Sequence, residues 1–134
     1  MPIDKTCIFK IDFRLLMKDP ILLVIQDPSS RQLYHELFVT RNMEVIPLAH
    51  IEDVFLLEAI RPCDLIVIYA DDIDSKEFEL FMGVQKRVEL FSKSRIVLLT
   101  SSPEQYESDI GDGCEILDLS HSNPKEVADR IESM

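Results

Sequence analysis

The sequence predicts an α/β fold in which five strands, each followed by a helical segment, form one parallel sheet. From residue 20 onward, short runs rich in Val, Ile and Leu alternate with longer amphipathic segments. Three of those runs are apolar on both faces, as strands covered by helices on each side must be. A length of 134 residues is that of one domain, and 46% apolar with 29% charged residues is ordinary for a globular protein. We therefore expect one compact unit, residues 20–134, preceded by an extension of residues 1–19.

The five predicted strands differ in how deeply they should be buried. The runs 21–25, 64–69 and 95–100 are the apolar ones and should be central, whereas 44–48 and 114–119 carry polar breaks and should be edges. Five such units match the doubly wound, flavodoxin-like strand order 2-1-3-4-5. In this fold a ligand site lies at the carboxyl ends of the central strands.

The first helix has the clearest start. Asp27-Pro28 offers an N-cap followed by Pro in the first turn, and Ser29 with Gln32 fits a capping box. The other helical segments are 50–60, 75–92, a short fourth one within 101–112, and a last one that opens at Asn123-Pro124. The residues at helical spacing on the predicted inner faces are Leu33, Leu37, Phe38, Ile51, Val54, Phe55, Glu58, Phe78, Phe81 or Met82, Gln85, Val88, Phe91, Tyr106, Ile110, Val127 and Ile131.

Residues 1–19 are extra to the five units. Cys7, Phe9, Ile11 and Phe13 alternate with mostly polar residues, which is typical of a half-buried strand. We expect this segment either to pair with a sheet edge or cover the domain as a lid, or to be exchanged with a second subunit as a dimerisation arm.

Composition excludes several classes of function. A net charge of −11 would repel nucleic acid, and no basic face compensates for it. No apolar run is long enough to span a membrane and no secretory leader is evident, so a cytoplasmic protein is expected. The three cysteines are far apart and the three histidines lack metal-ligand spacing, so neither a disulfide framework nor a zinc site is indicated.

The stretches 21–31, 44–45, 62–68, 96–101 and 123–127 together resemble the receiver domains of two-component response regulators, in order and in spacing. The likeness covers residues 20–134. It implies phosphoryl transfer from a histidine kinase, directly or in a phosphorelay, to an Asp at the end of the third strand. It further implies an acidic pair after the first strand for Mg²⁺, a Thr or Ser after the fourth, and a Lys after the fifth.

Most of these positions carry other residues here. Tyr69 stands at the phosphoacceptor position, five residues after Asp64. Ile25 and Gln26 replace the acidic pair, with Asp27 following them, and Ser120 stands at the Lys position. Thr100 matches the family. The resemblance therefore implies an atypical pseudo-receiver whose degenerate pocket consists of Ile25, Gln26, Asp27, Tyr69, Asp71, Thr100 and Ser120.

The leading hypothesis is a non-catalytic domain that binds a protein partner or dimerises and needs no cofactor. The family's usual dimer face, the fourth helix with the fifth strand and helix, is in doubt because the fourth segment is short. The alternative is a working switch in which Asp27, Asp71 or Asp72 acts with Thr100, with Mg²⁺ held by Asp27 and Asp71 and phosphate supplied by a histidine kinase. The acidic residues after the third strand are otherwise expected to cap the next helix. A small flavodoxin-like enzyme is the third hypothesis.

Overall fold

The computed structural model describes residues 20–60, 63, 65–87, 95–107 and 114–134. At 57–60, 75 and 85–87 it describes the backbone only. Residues 1–19, for which the sequence predicts a strand or an arm, lie outside the described residues.

Five parallel strands form one sheet in the order β2-β1-β3-β4-β5. Their bounds are β1 Ile21–Val24, β2 Val45–Leu48, β3 Leu65–Tyr69, β4 Arg95–Thr100 and β5 Cys114–Asp118. The flavodoxin-like order 2-1-3-4-5 is thereby confirmed. So is the prediction that the two strands with polar breaks form the edges, since β1, β3 and β4 are almost wholly buried while β2 and β5 are mostly half-buried.

Four helices cover the sheet: α1 Pro28–Val39, α2 Asp53–Ile60, α3 Ser75–Arg87 and α4 Pro124–Glu132. Two single 3₁₀ turns, Ala70–Asp72 and Pro103–Gln105, follow β3 and β4. Among the described residues no helix is long and apolar enough to cross a membrane.

The core consists of two apolar layers, one on each face of the sheet. On one face Tyr34 and Phe38 of α1 pack with Val127 and Ile131 of α4. On the other face, α2 contributes Val54 and α3 contributes Phe78, Phe81 and Met82. Alternate residues of the central strands supply both layers, because successive side chains of a strand point to opposite faces. The predicted inner residues of α2, α3 and α4 are thus confirmed where the structure describes them.

The predicted inner face of α1 is confirmed for Phe38, which is buried, and Leu37 is half-buried against the same core. It is wrong for Leu33, which is 44% exposed, and Tyr34 is buried in its place. The predicted N-cap is present, because the Asp27 carboxylate accepts a hydrogen bond from the Ser30 N–H at 2.9 Å. Ser29 and Gln32 form no capping box, because Gln32 donates its side-chain N–H to Glu36 instead. Residues four apart then share the inner face.

The segment after β4 is described only as far as residue 107, and up to there its helical structure is the 3₁₀ turn Pro103–Gln105. Residues 108–113, with Ile110, lie outside the described residues, so the length of the predicted fourth helix stays a prediction. Tyr106 is buried, as predicted, and meets the ring of Phe78 edge-to-face at 5.3 Å between centroids. One aromatic side chain therefore anchors this segment on the α3 face of the sheet.

Candidate functional site

The carboxyl ends of β1, β3, β4 and β5 bring the predicted pocket residues to one edge of the sheet. The register aligns Val24 with Ile68, Tyr69 with Leu99 and Thr100 with Asp118, so the residues that follow each strand are neighbours. Ile25 and Thr100 are fully buried and Tyr69 is half-buried. Gln26, Asp27, Asp71 and Ser120 are exposed. The structure thus places the residues of the predicted pocket at the same edge of the sheet, while their role stays a prediction.

Asp71 links the end of β3 to the end of β4. Its Oδ1 accepts hydrogen bonds from the Thr100 hydroxyl and from the Ser101 N–H, both at 3.0 Å. Its Oδ2 accepts from the Ser101 hydroxyl at 2.8 Å and from the same N–H at 3.3 Å. The four contacts come from three donors, because the Ser101 N–H is shared between the two oxygens, and together they engage both oxygens of the carboxylate.

Asp72 links the same turn to the end of β1. Its carboxylate accepts a hydrogen bond from the backbone N–H of Asp27 at 3.1 Å. The expectation that both aspartates cap the next helix is therefore wrong for Asp71 and Asp72. The residue beside the helix start is Asp74, whose side chain accepts from the Lys76 N–H at 3.2 Å. The 3₁₀ turn is the physical reason, because it directs Asp71 and Asp72 toward the neighbouring strand ends before α3 begins.

Tyr69 lies between an aromatic neighbour and three carboxylates. Its ring centroid is 6.2 Å from that of Tyr34, which is buried beneath it on α1. Partial burial raises the pKa of the Tyr69 phenol, and the negative charges of Asp71, Asp72 and Asp27 raise it further. Burial raises the pKa of Tyr34 to about 12. Both phenols are therefore neutral at physiological pH.

Arg31 brings a positive charge to the end of β1. Its guanidinium donates to the carbonyl oxygens of Ile25 at 2.9 Å and of Gln26 at 3.2 Å. Sequence reasoning did not identify Arg31 or Tyr34 as pocket residues. The signal was present, because Arg31 follows the N-cap Asp27 by one helical turn and therefore lies on the same side of α1.

The end of β5 forms a small polar turn of its own. The Ser120 hydroxyl and N–H both donate to Asp118 Oδ1, at 2.6 and 2.9 Å. These bonds hold the pKa of Asp118 below its ordinary value, and the nearby His121 lowers it further. His121 is an exposed side chain 3.8 Å from Asp118. The turn thus presents a carboxylate and a hydroxyl where the receiver family has a lysine.

The residues present do not fit the Mg²⁺ that the resemblance implies. Among the described residues no three His, Cys, Asp or Glu side chains come together as a metal site. Both oxygens of Asp71 accept hydrogen bonds, Ile25 offers no ligand atom, and the charge of Arg31 disfavours a second cation nearby. Magnesium usually needs one or two carboxylates that are free to face it. Asp27, proposed with Asp71 as a ligand, already accepts from Ser30.

Solved structures with this arrangement of strands are numerous, although no family model and no curated protein matches the sequence. The chemotaxis response regulator CheY4 of Vibrio cholerae aligns with 87% of this chain and 98% of its own, at a TM-score of 0.69 and 16% identity. The fold is that of a receiver domain.

Two further receiver structures agree with this result. A signal receiver domain of a histidine kinase from Clostridium thermocellum gives a TM-score of 0.71 at 12% identity, covering 87% of this chain and 97% of its own. A CheY-like receiver domain from Methylobacillus flagellatus gives 0.64 at 11% identity, covering 87% and 98%. The receiver fold therefore accounts for almost the full length of each of these proteins, while their sequences share little with this chain.

Proposed function

We propose that residues 20–134 form a receiver-type signalling domain of a two-component pathway that acts by binding a protein partner or a second copy, without aspartyl phosphorylation. The proposal rests chiefly on one observation: a neutral tyrosine stands at the position that the resemblance gives to the acceptor, and both oxygens of Asp71, two residues later, accept hydrogen bonds from Thr100 and Ser101.

The chemistry of phosphoryl transfer explains why these two features matter. Transfer to an aspartate needs a free carboxylate as nucleophile and a cation that neutralises the phosphoryl oxygens. The Tyr69 phenol is neutral, because burial and the surrounding carboxylates raise its pKa. The three carboxylates beside it would also repel an incoming phosphoryl group. Neither a nucleophile nor charge neutralisation is supplied at this position, so the proposed domain is not an enzyme and needs no cofactor.

The same hydrogen bonds favour a domain with one stable surface. The links from Asp71 to β4 and from Asp72 to β1 hold three strand ends in a single arrangement. A receiver that switches must move between two conformations. A partner shifts the equilibrium between them only if it binds one conformation more tightly than the other. Here the surface is already formed, so a partner protein would bind it without a prior phosphorylation step.

One observation favours the alternative function, a switch with a displaced acceptor. The Thr100 hydroxyl lies 3.0 Å from Asp71, and a hydroxyl in that position would also contact a phosphoryl group carried by Asp71. The alternative needs Asp71 to exchange its four hydrogen bonds for a metal and a phosphate. Histidine-kinase partnership belongs to this alternative alone.

An amide NMR titration distinguishes the two functions. The full chain is titrated first with Mg²⁺ and then with beryllofluoride, which mimics an acyl phosphate. We expect no saturable shift at Asp27, Tyr69, Asp71 or Thr100 in either step. The Asp71→Asn variant is the matched control. Saturable shifts in the natural protein that disappear in Asp71→Asn would establish the displaced acceptor and overturn our proposal.

A further inference from the structure

The outer surface of α2 and α3 carries exposed large apolar side chains. Leu56 is 68% exposed, Leu80 71% and Val84 36%. Leu80 and Val84 are four residues apart, so both lie on one side of α3. Single exposed leucines are common on protein surfaces, and only a connected set needs an explanation.

A ring stack brings α2 and α3 into contact. Phe55 of α2 and Phe81 of α3 are stacked with 5.1 Å between ring centroids. Leu56 follows the first of these rings in the sequence and Leu80 precedes the second. Both leucines point away from the sheet, because the residues that face it are Val54 on α2 and Phe78 on α3. We call Leu56, Leu80 and Val84 the α2–α3 apolar surface.

We propose that the α2–α3 apolar surface is the docking site of the chain's own residues 1–19. The proposal goes beyond the function proposed above, since it requires neither phosphorylation nor a second protein. Three observations support it: where this segment joins the domain, how its apolar residues are spaced, and how its charge compares with that of its surroundings.

The point of attachment puts the surface within reach. Residue 20 precedes β1, an inner strand of the sheet. In a parallel α/β fold the helices run back along the strands, so α3 ends, at Arg87, near the edge where β1 begins. Crossing from the sheet to the outer side of a helix takes about 15 Å, since a helix is about 10 Å wide. A chain of five residues can span about that distance, so residues 15–19 are long enough to connect the domain to this surface.

The spacing of the apolar residues also agrees. Phe9, Ile11 and Phe13 alternate with Lys10 and Asp12, so an extended chain places them on one side, about 6.6 Å apart. Residues four apart along a helix, such as Leu80 and Val84, are separated by about 6 Å along its axis. An extended segment can therefore set successive apolar side chains against this surface.

Charge favours this occupant over a second copy of the domain. Residues 1–19 contain four basic and three acidic side chains, whereas residues 20–134 contain ten basic and twenty-two acidic ones. The apolar residues are flanked by the exposed acidic residues Glu52, Glu77 and Glu79. Among the described side chains of 52–56 and 76–84, Lys76 is the one exposed cation. The exposed glutamates of two such surfaces would repel each other if the surfaces met, while residues 1–19, with four basic and three acidic side chains, would not be repelled there.

The sheet edge nearest to residue 20 is a poorer site. The bonds from Ile21 to Glu44 and from Ile25 to Leu48 show that even-numbered residues of β2 face β1. Residues 45 and 47 consequently face outward, and Pro47 has no N–H to offer there. A proline at such a position is one of the ways in which proteins prevent an edge strand from pairing.

The test measures the paramagnetic broadening of amide NMR signals by a spin label attached to Cys7 in the full-length Cys114→Ser variant. The substitution removes the half-buried Cys114, and Cys63 is buried. Mass spectrometry of peptides checks that the label is on Cys7. We expect the oxidised label to broaden amide signals of residues 54–56 and 79–84, and to spare Leu33 and Val39 on the opposite face. Broadening centred on β5, β2 or α1 would overturn the proposal. A second experiment mixes spin-labelled protein with ¹⁵N protein that carries no spin label. If broadening appears only in this mixture, the segment is exchanged between copies, and the proposal is overturned.

A pair of variants tests the surface itself. Leu56→Gln with Leu80→Gln should release the segment and speed tryptic cleavage after Lys10 and Arg14 about tenfold, since cleavage follows the population of the open form. The matched control, Leu33→Gln with Val39→Gln, changes leucine and valine side chains of 44% and 50% exposure on α1 and should leave the cleavage rate unchanged. Equal rates in the two pairs would contradict the proposal. If these variants contradict the docking of residues 1–19, the proposed function is unaffected, because it is tested separately by the NMR titration with beryllofluoride.

Discussion

Two positions in sequence separate Tyr69 from Asp71, and they decide what the carboxyl edge of the sheet can do. β3 ends at Tyr69, whose ring turns toward Tyr34 and the α1 face. The 3₁₀ turn then carries Asp71 across to β4, where Thr100 and Ser101 donate hydrogen bonds to both of its oxygens. The carboxylate that follows Tyr69 most closely therefore accepts hydrogen bonds between two strand ends.

Placing an aspartate at the acceptor position should not restore phosphorylation. In Tyr69→Asp the new carboxylate would face Asp27, Asp71 and Asp72 with neither an acidic metal pair nor a lysine to balance the charge. We expect no phosphoryl adduct after incubation with acetyl phosphate and Mg²⁺, measured by intact-protein mass spectrometry. A stable adduct on this variant that is absent from Tyr69→Phe would refute the account of the pocket given above.

Removing the carboxylate of Asp71 should destabilise the domain. Asp71→Ala leaves the fully buried Thr100 hydroxyl without this acceptor and takes one from Ser101 as well. Losing the partner of a buried polar group costs about 1–3 kcal/mol in the free energy of unfolding, which urea denaturation measures. Asp53→Ala, an acidic residue in the first turn of α2, is the comparison. An equal effect in both variants would mean that Asp71 has no special structural role.

At the scale of single elements, α1 shows that an aromatic residue with a hydroxyl can occupy the inner face of a helix. Apolar periodicity pointed to Leu33, Leu37 and Phe38, yet Tyr34 and Phe38 are the buried pair, with Leu37 half-buried beside them and Leu33 exposed. Tyr34 was missed because its hydroxyl makes it an ambiguous core residue in a hydrophobicity pattern. In the folded domain its ring covers Phe38 and Tyr69, so most of this amphipathic side chain packs as an apolar one.

Truncations on α1 should follow the observed face of the helix. Phe38→Ala removes a fully buried ring and should cost about 3–5 kcal/mol in the free energy of unfolding. Leu33→Ala, at a position 44% exposed, should change it by less than about 0.5 kcal/mol. Both are measured by urea denaturation of the full chain. A loss for Leu33→Ala as large as that for Phe38→Ala would contradict the exposed position of Leu33 on α1.

The start of α4 is a capping box, and its loss should be measurable. Asn123 accepts a hydrogen bond from the Glu126 N–H at 2.8 Å, and the Glu126 carboxylate accepts one from the Asn123 N–H. Asn123→Ala should lower the free energy of unfolding by about 1 kcal/mol, with Asn123→Ser recovering most of it. Failure of serine to recover stability would assign the loss to something other than the cap.

For the whole molecule, acid should weaken the fold through exposed carboxylates that accept hydrogen bonds. The pKa values of Asp27 and Asp118 are lowered by their bonds to Ser30 and Ser120. A lowered folded-state pKa means that the unfolded chain binds the proton more readily, so stability rises with pH in this range. The contribution is complete above the unfolded-state pKa, about 3.9, and is lost as pH falls through the lower folded-state values.

A variant that keeps the carboxylate tests this pH dependence. Ser120→Ala removes both the hydroxyl donor to Asp118 and part of the cause of its lowered pKa. We expect the free energy of unfolding to depend less steeply on pH below about pH 4 than in the natural protein, with parallel curves above about pH 6. Parallel curves over the whole range would show that this hydrogen bond does not couple folding to protonation.

Strand order, edge strands and the inner residues of three helices followed from patterns that are local in the chain. Runs apolar on both faces can be stable only between two helical layers, so composition alone separates the central strands from β2 and β5. The resemblance to receivers placed Tyr69, Thr100 and Ser120 at one edge because parallel strands end together. These conclusions needed no knowledge of side-chain contacts.

The roles of the acidic residues were decided only when distant segments came together. Whether Asp71 caps a helix, binds a metal or holds β4 depends on a 3₁₀ turn and on a neighbour 29 residues away, which no local pattern encodes. Arg31 reaches the end of β1 for the same reason, since its partners are carbonyl groups that every residue has. Secondary structure and burial follow from periodicity along the chain, whereas the chemistry of a polar site depends on which donors and acceptors the tertiary fold brings within about 3 Å.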